Sequence, residues 1–156
     1  MSSQQLKQKG FTIIEVVLVL AIAALIFLMV FIALPALQSS QRDTARKNDV
    51  SIVAAAVNSW SGNNRGKALD STALTGIKTY AESLSDNTTD VKMGANPTAD
   101  DASVTAEDGV ATIYVGAKCD SSSPDGKLTI DKGTKRQYVV VTRLESGNGA
   151  GYCLDS

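Results

Sequence analysis

The residue that most clearly suggests chemistry is Glu15, at the start of the longest apolar run in the chain. The nineteen residues that follow it, Val16 to Leu34, carry no charged or polar side chain. A carboxylate beside such a run is costly to bury unless a cation or a hydrogen-bond donor accompanies it. We therefore interpret Glu15 as an assembly signal, a group that needs a specific partner. The alternative is an acid that merely reaches the polar boundary of a membrane.

Little else in the composition points to catalysis. The chain has no histidine, which is the commonest general base and metal ligand. The acidic pairs at 100–101 and 107–108 are interpreted as solvated loop acids. Asp120 and the pair Asp125-Gly126 offer oxygen ligands of the kind that calcium prefers, but their spacing does not match an EF-hand loop. We expect no enzymatic activity, no cofactor and no assigned metal.

Length and flanking charge predict a membrane span. Nineteen helical residues measure about 29 Å, close to the roughly 30 Å of a bilayer core. Lys7 and Lys9 precede the run, and positive flanks stay in the cytoplasm, so the bulk of the chain is expected outside. The pattern alone leaves three possibilities open: a cleaved secretory signal, a permanent anchor, and a helix that stays on the protein after cleavage before the run.

The junction before the apolar run has the sequence KGFTIIE, from Lys9 to Glu15. Together with the run, it resembles the prepilin processing site of the type IV pilin and pseudopilin family, in which a short basic leader ends in glycine. The resemblance implies that a membrane peptidase cuts after Gly10, that the new N-terminus at Phe11 is methylated, and that Glu15 serves assembly. The apolar run would form the stalk helix of the family. The rest of the chain, which we call the head, matches the family only in layout.

Cleavage after Gly10 would leave a free amine at Phe11, close to the Glu15 carboxylate. The amine of the next subunit would also come close if stalks stack with an axial offset. The resemblance favours this pairing between subunits, which would fix their register. Pro35 is expected to kink or melt the stalk helix, because proline removes a backbone donor and clashes with the preceding turn. Relatives with a stalk proline usually carry it one turn earlier.

The chain is divided into five expected segments. They are a cleaved leader (1–10), a transmembrane and assembly stalk helix (11–37), the head half of the same helix (38–61), a connecting region with a short helix (62–108), and a β-sheet region closed by a disulfide (109–156). In the head half, Val50, Val53, Val57 and Trp60 recur at helical spacing, so Trp60 is expected in the core. The charged residues between 42 and 49 are interpreted as a solvated face.

Three runs near the C-terminus predict β-strands: Val110–Gly116, Lys127–Asp131 and Gln137–Leu144. Turns at 121–126 and 131–134 would join them in order, and residues 86–108 are expected to form a loop. The predicted fold class is α+β, with a long N-terminal helix packed on a small antiparallel β-sheet, as in pilins.

Cys119 and Cys153 are the only cysteines, and both follow the apolar run. In an exported head such a pair predicts a disulfide, which would tie the tail to the end of the first predicted strand. In the family, a C-terminal disulfide encloses a surface-exposed, variable loop. The resemblance therefore implies that residues 120–152 form that loop, although they include two of the predicted strands.

The C-terminal hairpin is locally basic, with Lys127, Lys132, Lys135, Arg136 and Arg143. Acids at 125, 131 and 145 dilute this patch, and no row of aromatic residues predicts base stacking. DNA is therefore a less favoured partner.

The resemblance implies a structural subunit of a type IV pilus-like filament that supports adhesion, twitching motility or surface interaction. Its partners would be copies of itself, a prepilin peptidase, the pilus assembly machinery and, before assembly, the membrane. The precursor would lie in the inner or cytoplasmic membrane, and the assembled subunit in an extracellular filament. The alternative is a pseudopilin of a type II secretion or DNA-uptake system. A membrane-anchored binding domain or enzyme is less favoured.

Overall fold

The computed structural model describes residues 10–120, 128–147 and 149–156. The chain divides into two compact units, Met1–Leu37 and Gln38–Ser156, and one helix, α1 (Ile13–Asn63), contributes residues to both. In the first unit the large apolar side chains from Phe11 to Leu37 are exposed. α1 contains a stretch that is long and apolar enough to cross a membrane, and none of that stretch is buried within the chain.

The second unit holds the remaining secondary structure. Helix α2 (Ser71–Tyr80) begins where the Asp70 carboxylate accepts hydrogen bonds from the backbone N–H groups of Thr72 and Ala73, which makes Asp70 an N-cap. The strands described are β1 (Asp90–Met93), β2 (Ala102–Ser103), β3 (Val110–Val115), β4 (Ala117–Cys119), β5 (Thr129–Lys132), β6 (Tyr138–Arg143) and β7 (Gly151–Asp155).

These strands form two sheets. The larger has the order β1-β3-β6-β7, in which β1 runs parallel to β3 and the other neighbours are antiparallel. The smaller is antiparallel and has the order β2-β5-β4. The chain passes from one sheet to the other at Gly116, whose φ of +67° lies in the left-handed region that glycine adopts without strain.

Strands β3 and β6 are buried on both faces. One face belongs to a core shared with the helices, which contains Ala111, Ile113, Val140 and the α1 residues Val50, Val53 and Val57. The opposite face belongs to a second core shared with the smaller sheet, which contains Tyr114, Val139, Val141, Ala117 and Ile130. The head is therefore layered, with the larger sheet between the helices and the smaller sheet.

The predicted α+β class, with a long N-terminal helix packed on a small sheet rich in antiparallel pairs, is confirmed. The predicted single sheet is wrong, because β5 and β6 belong to different sheets and the turn at 131–134 does not join a hairpin. The expected loop at 86–108 is also wrong, since it contains β1 and β2. The predicted turn at 121–126 lies outside the described residues.

Trp60 lies at the junction of the two helices, partly buried against the core, as its spacing predicts. A Cβ atom added at Gly76 of α2 would lie 2.4 Å from Trp60 Nε1, so only glycine permits this close approach. The bulky indole therefore sets the distance between α2 and the end of α1.

The interpretation of residues 42–49 as a solvated face is wrong. Asp43, Arg46 and Asp49 are 4%, 4% and 1% exposed, and we call these three residues the polar clamp. They are buried because loops of the head cover this face of α1 and supply the partners that buried charges require. The Asp49 carboxylate, for example, accepts hydrogen bonds from the backbone N–H of Ser85 at 2.9 Å and from its hydroxyl at 2.6 Å.

The other two members of the polar clamp hold the loop between β6 and β7. The Asp43 carboxylate accepts hydrogen bonds from the backbone N–H groups of Glu145, at 2.6 Å, and Ser146, at 2.9 Å, and from the Ser146 hydroxyl. The Arg46 guanidinium pairs with Glu145 at 3.0 Å and with Asp108 at 2.9 Å. The loop is therefore attached to α1 by charge-assisted hydrogen bonds.

We predict that Asp43 makes the head sensitive to acid. Burial alone would raise the pKa of the Asp43 carboxyl, but the hydrogen bonds from Ser146 and Glu145 and the charge of Arg46 together hold that pKa below its ordinary value. A carboxyl whose pKa is lowered by folding stabilises the fold fully above its unfolded pKa of about 3.9, and this stabilisation is lost as the pH falls through the lower folded value.

Asp43→Asn is therefore expected to reduce the free energy of unfolding by about 2 kcal/mol at pH 7. The same variant should narrow the difference in Tm between pH 7 and pH 3. Thermal unfolding of the full chain in detergent, at both pH values, measures this. Asp90→Asn is the control, since Asp90 is half-exposed beside Lys78 and should change Tm less. An equal narrowing in both variants would contradict the prediction.

Candidate processing and assembly site

The residues expected at the processing site lie in an open part of the chain. Gly10 is exposed, and a Cβ added there would meet no atom within 4 Å. The Phe11 side chain is 88% exposed. The peptide bond between them therefore lies clear of other described groups, as a bond that a peptidase must reach requires.

Glu15 has a partner within its own chain. Its Oε2 atom accepts hydrogen bonds from the backbone N–H and from the hydroxyl of Thr12, both at 2.8 Å. The Thr12 hydroxyl lies 3.4 Å from the backbone N–H of Glu15, which donates to it. Since α1 begins at Ile13, Thr12 is the N-cap and Glu15 is the third helical residue, and together they form a capping box.

This local role of Glu15 is not among the expectations drawn from the sequence. The signal was available as Thr12-x-x-Glu15 before an apolar run, the pattern typical of a capping box. Glu15 therefore stabilises the start of α1 in the single chain. An exchange of partners, from Thr12 to an amine of another subunit, would be needed for pairing between subunits.

An open apolar groove adjoins the Glu15 carboxylate on the surface of α1. It is lined by Phe11, Glu15, Val16, Val19 and Leu20, so the carboxylate lies at one end of a stripe of exposed apolar side chains. Such a stripe offers a packing surface to another apolar helix, with the carboxylate as its one polar group.

Pro35 lies inside α1, and the helix is continuous on both sides of it. Proline has no backbone N–H, so one hydrogen bond of the helical ladder is missing at this point. The expected melting of the helix at this residue is not seen, and a kink there stays a prediction.

A disulfide joins Cys119 of β4 to Cys153 of β7, with their Cα atoms 5.9 Å apart. It links the two sheets, because β4 belongs to the smaller sheet and β7 to the larger. Next to it, the Asp155 carboxylate accepts a hydrogen bond from the backbone N–H of Cys119 at 2.7 Å. The segment that the disulfide encloses contains two strands, β5 and β6, as expected. Its implied surface exposure is wrong for β6, which is buried.

Three carboxylates of the head lie close together. Oxygen atoms of Asp101, Asp120 and Asp131 lie within 4.8 Å of one another. Two of these groups already accept hydrogen bonds, Asp131 from the backbone N–H of Asp101 at 3.1 Å and Asp120 from the hydroxyl of Thr129 at 2.6 Å. The cluster carries no metal assignment, and Asp125, the other acid considered for calcium, lies outside the described residues.

Comparison with known proteins finds a match for the N-terminal segment alone. Residues 5–31 match the family model described as the prokaryotic N-terminal methylation motif. No curated protein and no solved structure matches the chain. The matched segment contains Gly10, Phe11, Thr12 and Glu15.

The matched motif is the signature of type IV pilins and pseudopilins, so the resemblance read from the sequence is confirmed. It suggests a structural subunit rather than an enzyme. It also implies processing by a prepilin peptidase and self-assembly into filaments. Together with the exposed apolar helix, it fits a membrane-anchored precursor that is later assembled.

Proposed function

We propose that this chain is the structural subunit of a type IV pilus-like filament, which supports adhesion, motility or surface interaction. The supporting observation is the coincidence of three features in one segment. The methylation motif spans residues 5–31, α1 carries exposed apolar side chains from its first turn, and Glu15 lies at the start of that surface.

Processing is the first proposed step. Hydrolysis of the peptide bond between Gly10 and Phe11 releases the leader and creates an amine at Phe11, which is then methylated. This amine is separated by only three residues from Glu15, on the turn where the Thr12 N-cap holds the carboxylate. Cleavage therefore places a positive and a negative group together at the start of α1.

Assembly of the stalk helices is the second step. Packing two apolar helices gains little hydrophobic free energy while both are still in lipid, so polar groups and close packing decide which contacts form. A Glu15 carboxylate paired with the Phe11 amine of the next subunit would supply that preference. The contact joins two different surfaces, so it does not close on itself and allows open-ended growth.

The experiment that tests the proposal examines the mature chain and its fibres. Mass spectrometry of the membrane-associated protein should show an N-terminus at Phe11 with one added methyl group. Electron microscopy of sheared cells should show fibres that contain this chain. An intact leader, or a cut after Ala36, would contradict the proposal. Correct processing without surface fibres would instead support a pseudopilin of a secretion or DNA-uptake system.

Gly10→Val provides the matched test of processing. A side chain at Gly10 meets no atom within 4 Å, so the substitution should leave the fold unchanged and block only recognition by the peptidase. Gly62→Val is the control, because Gly62 is equally open but lies near the end of α1. We expect unprocessed protein and no fibres for Gly10→Val, and normal processing for Gly62→Val.

A further inference from the structure

Exposed cations gather on the head where α1 ends. One cleft there, of about 390 Å³, is lined by Arg65, Lys67, Lys135 and Arg136. A neighbouring cleft of about 340 Å³ adds Lys132 and shares Lys135 with the first. We call these five residues the basic cleft, and all five are exposed. The ion pairs found among the described residues use none of them.

The basic cleft differs from the basic hairpin that the sequence predicts. Arg143 lines a separate cleft, and Lys127 lies outside the described residues. Arg65 and Lys67 join instead, from a segment far away in the sequence. The fold therefore gathers a set of cations that no single segment of the sequence carries.

Two acids at the margin of the basic cleft are bound to backbone N–H groups. The Asp100 carboxylate accepts a hydrogen bond from the backbone N–H of Lys132 at 3.0 Å. The Asp70 carboxylate caps α2, directly after Leu69, which lines both parts of the cleft. Neither acid forms an ion pair with a described cation of the cleft, so most of the positive charge there has no partner in the described part of the head.

The stability of the fold alone does not explain this charge. Arg65 has a φ of +55° just after α1, where glycine is favoured, so an arginine there strains the backbone. A cation at that point complements the helix dipole. Lys135 and Arg136 have no such role, because they belong to the connection between β5 and β6. The basic cleft therefore indicates a negatively charged partner outside its own head.

Exposed acids of the head lie on the loop between α2 and β1. Glu82 and Asp86 are both exposed, and we call these two residues the acidic loop. The cations that flank this loop in the sequence, Lys78 and Lys92, are each paired with another acid at 2.6 Å. Among the described residues, no ion pair is found for either acid of the loop. The acidic loop therefore carries negative charge that is open to a partner.

Hydrogen bonds hold the acidic loop at one level of α1. The backbone N–H and the hydroxyl of Ser85, the residue before Asp86, both donate to the buried Asp49 carboxylate. Asp49 precedes Asn63, the last residue of α1, by about 21 Å along the helix axis. The acidic loop and the basic cleft therefore lie at different levels of the same helix.

We propose that the basic cleft of one subunit binds the acidic loop of a second copy, whose α1 is parallel to the first and displaced by about 21 Å along the helix axis. This inference rests on the proposed filament and assigns the head surfaces that meet in it. The two surfaces differ, so each copy binds one neighbour through its cleft and another through its loop, and growth does not close. Opposite charges across such an interface fix its register and disfavour misaligned neighbours.

A disulfide between copies tests the contact directly. Asp86→Cys/Lys135→Cys places one cysteine in each surface, at levels of α1 about 21 Å apart, which is too far for a disulfide within one chain. Under mild oxidation we expect a ladder of covalent oligomers on non-reducing gels of sheared fibres. Asp86→Cys alone and Lys135→Cys alone should give no ladder, because equivalent positions do not meet in a heterologous contact.

Charge reversal tests whether the two surfaces are electrostatic partners. Lys135→Glu/Arg136→Glu and Glu82→Lys/Asp86→Lys should each reduce fibre yield more than about fivefold, because like charges then face each other. The variant that combines all four substitutions should exceed either double variant by more than about threefold, since the charges at these positions are again opposite. A merely structural role of the four residues would not produce this recovery.

Lys47→Glu/Lys118→Glu is the matched control. It makes the same change of charge at exposed residues outside the basic cleft and should change fibre yield by less than about twofold. Tm and cleavage after Gly10 are measured for every variant. Both should stay close to wild type, because the substituted residues are exposed.

Three results would overturn the proposed contact between heads. These are fibres without the ladder, a combined variant that assembles no better than the double variants, and a control that loses as much fibre as the reversed cleft. If the basic cleft serves an anionic polymer instead, its reversal will lower fibre yield no more than the control does. A wild-type chain that forms no fibres would refute the proposed filament itself, whereas normal fibres in every variant would refute only the contact between heads.

Discussion

Glu15→Gln is expected to insert into the membrane and to be cleaved after Gly10, yet to reduce fibre yield more than about tenfold. Glutamine can replace glutamate in the capping box, so Thr12 keeps its partner and α1 still begins at Ile13. Only the negative charge is lost, which leaves the Phe11 amine of the next subunit unpaired. Removing one partner of a buried ion pair typically costs about 3–5 kcal/mol, more than enough for a tenfold loss.

Two companion variants separate the cap from the charge. Glu15→Ala removes both functions and should assemble no better than Glu15→Gln. Thr12→Ala removes the Thr12 hydroxyl from the capping box but keeps the carboxylate, so its fibre yield should stay close to wild type. The measurements are immunoblots of sheared fibres and mass spectra of the membrane fraction. If Glu15→Gln polymerises normally while Glu15→Ala does not, the carboxylate acts through the cap and the proposed pairing is wrong.

The second large effect, on the stability of the head, is expected when the disulfide is removed. Cys119→Ser/Cys153→Ser should lower the free energy of unfolding of the head by roughly 3–4 kcal/mol, the chain-entropy value for a loop of this length. The bond joins strands of different sheets and encloses β5 and the interior strand β6, so its loss frees this segment of the unfolded chain.

Trp60 provides the readout for this variant. It is the only tryptophan and lies in the second unit, so its fluorescence follows unfolding of the head without a signal from the membrane segment. Wild-type protein treated with a reductant should unfold at the same denaturant concentration as the double variant. Unfolding midpoints that coincide for oxidised wild type and the double variant would show that the bond does not stabilise the head.

The parts of the fold that the sequence predicts correctly are those with strong local patterns. α1 follows from its long apolar run and the periodic valines after it, and β3 and β6 follow from their β-branched residues. The continuous apolar run in β6 also indicated burial on both faces, which is the signature of a strand between two layers. A second layer that covers the other face of this strand could therefore have been predicted.

Other strands have no comparable signal. β1 has the sequence DVKM, and only Val91 of its four residues is buried. β7 contains glycine and aspartate at its ends and is partly exposed. Such segments become strands because β3 and β6 offer them free edges, which is a long-range effect that composition does not record.

The polar clamp shows how a local pattern can mislead. Charged residues between 42 and 49 are typical of a solvent-facing helix, but loops that lie far away in the sequence cover them. A signal was nevertheless present. The stripe of Val57, Val53 and Val50, extended backwards at the same spacing, falls on Arg46 and then on Asp43. The buried face of α1 thus continues through its charged residues.

The polar clamp also has a mechanical consequence. Apolar contacts between a helix and a sheet have no fixed direction, so a helix can slide by one turn, about 5.4 Å, and find similar neighbours. Asp43 and Arg46 have directional bonds to the loop between β6 and β7, and Asp49 has them to Ser85, so such a slip would break all of these bonds at once. A pulling force along α1 would therefore act on all of these bonds at the same time. Bonds loaded together in this way resist sliding of the head along the helix.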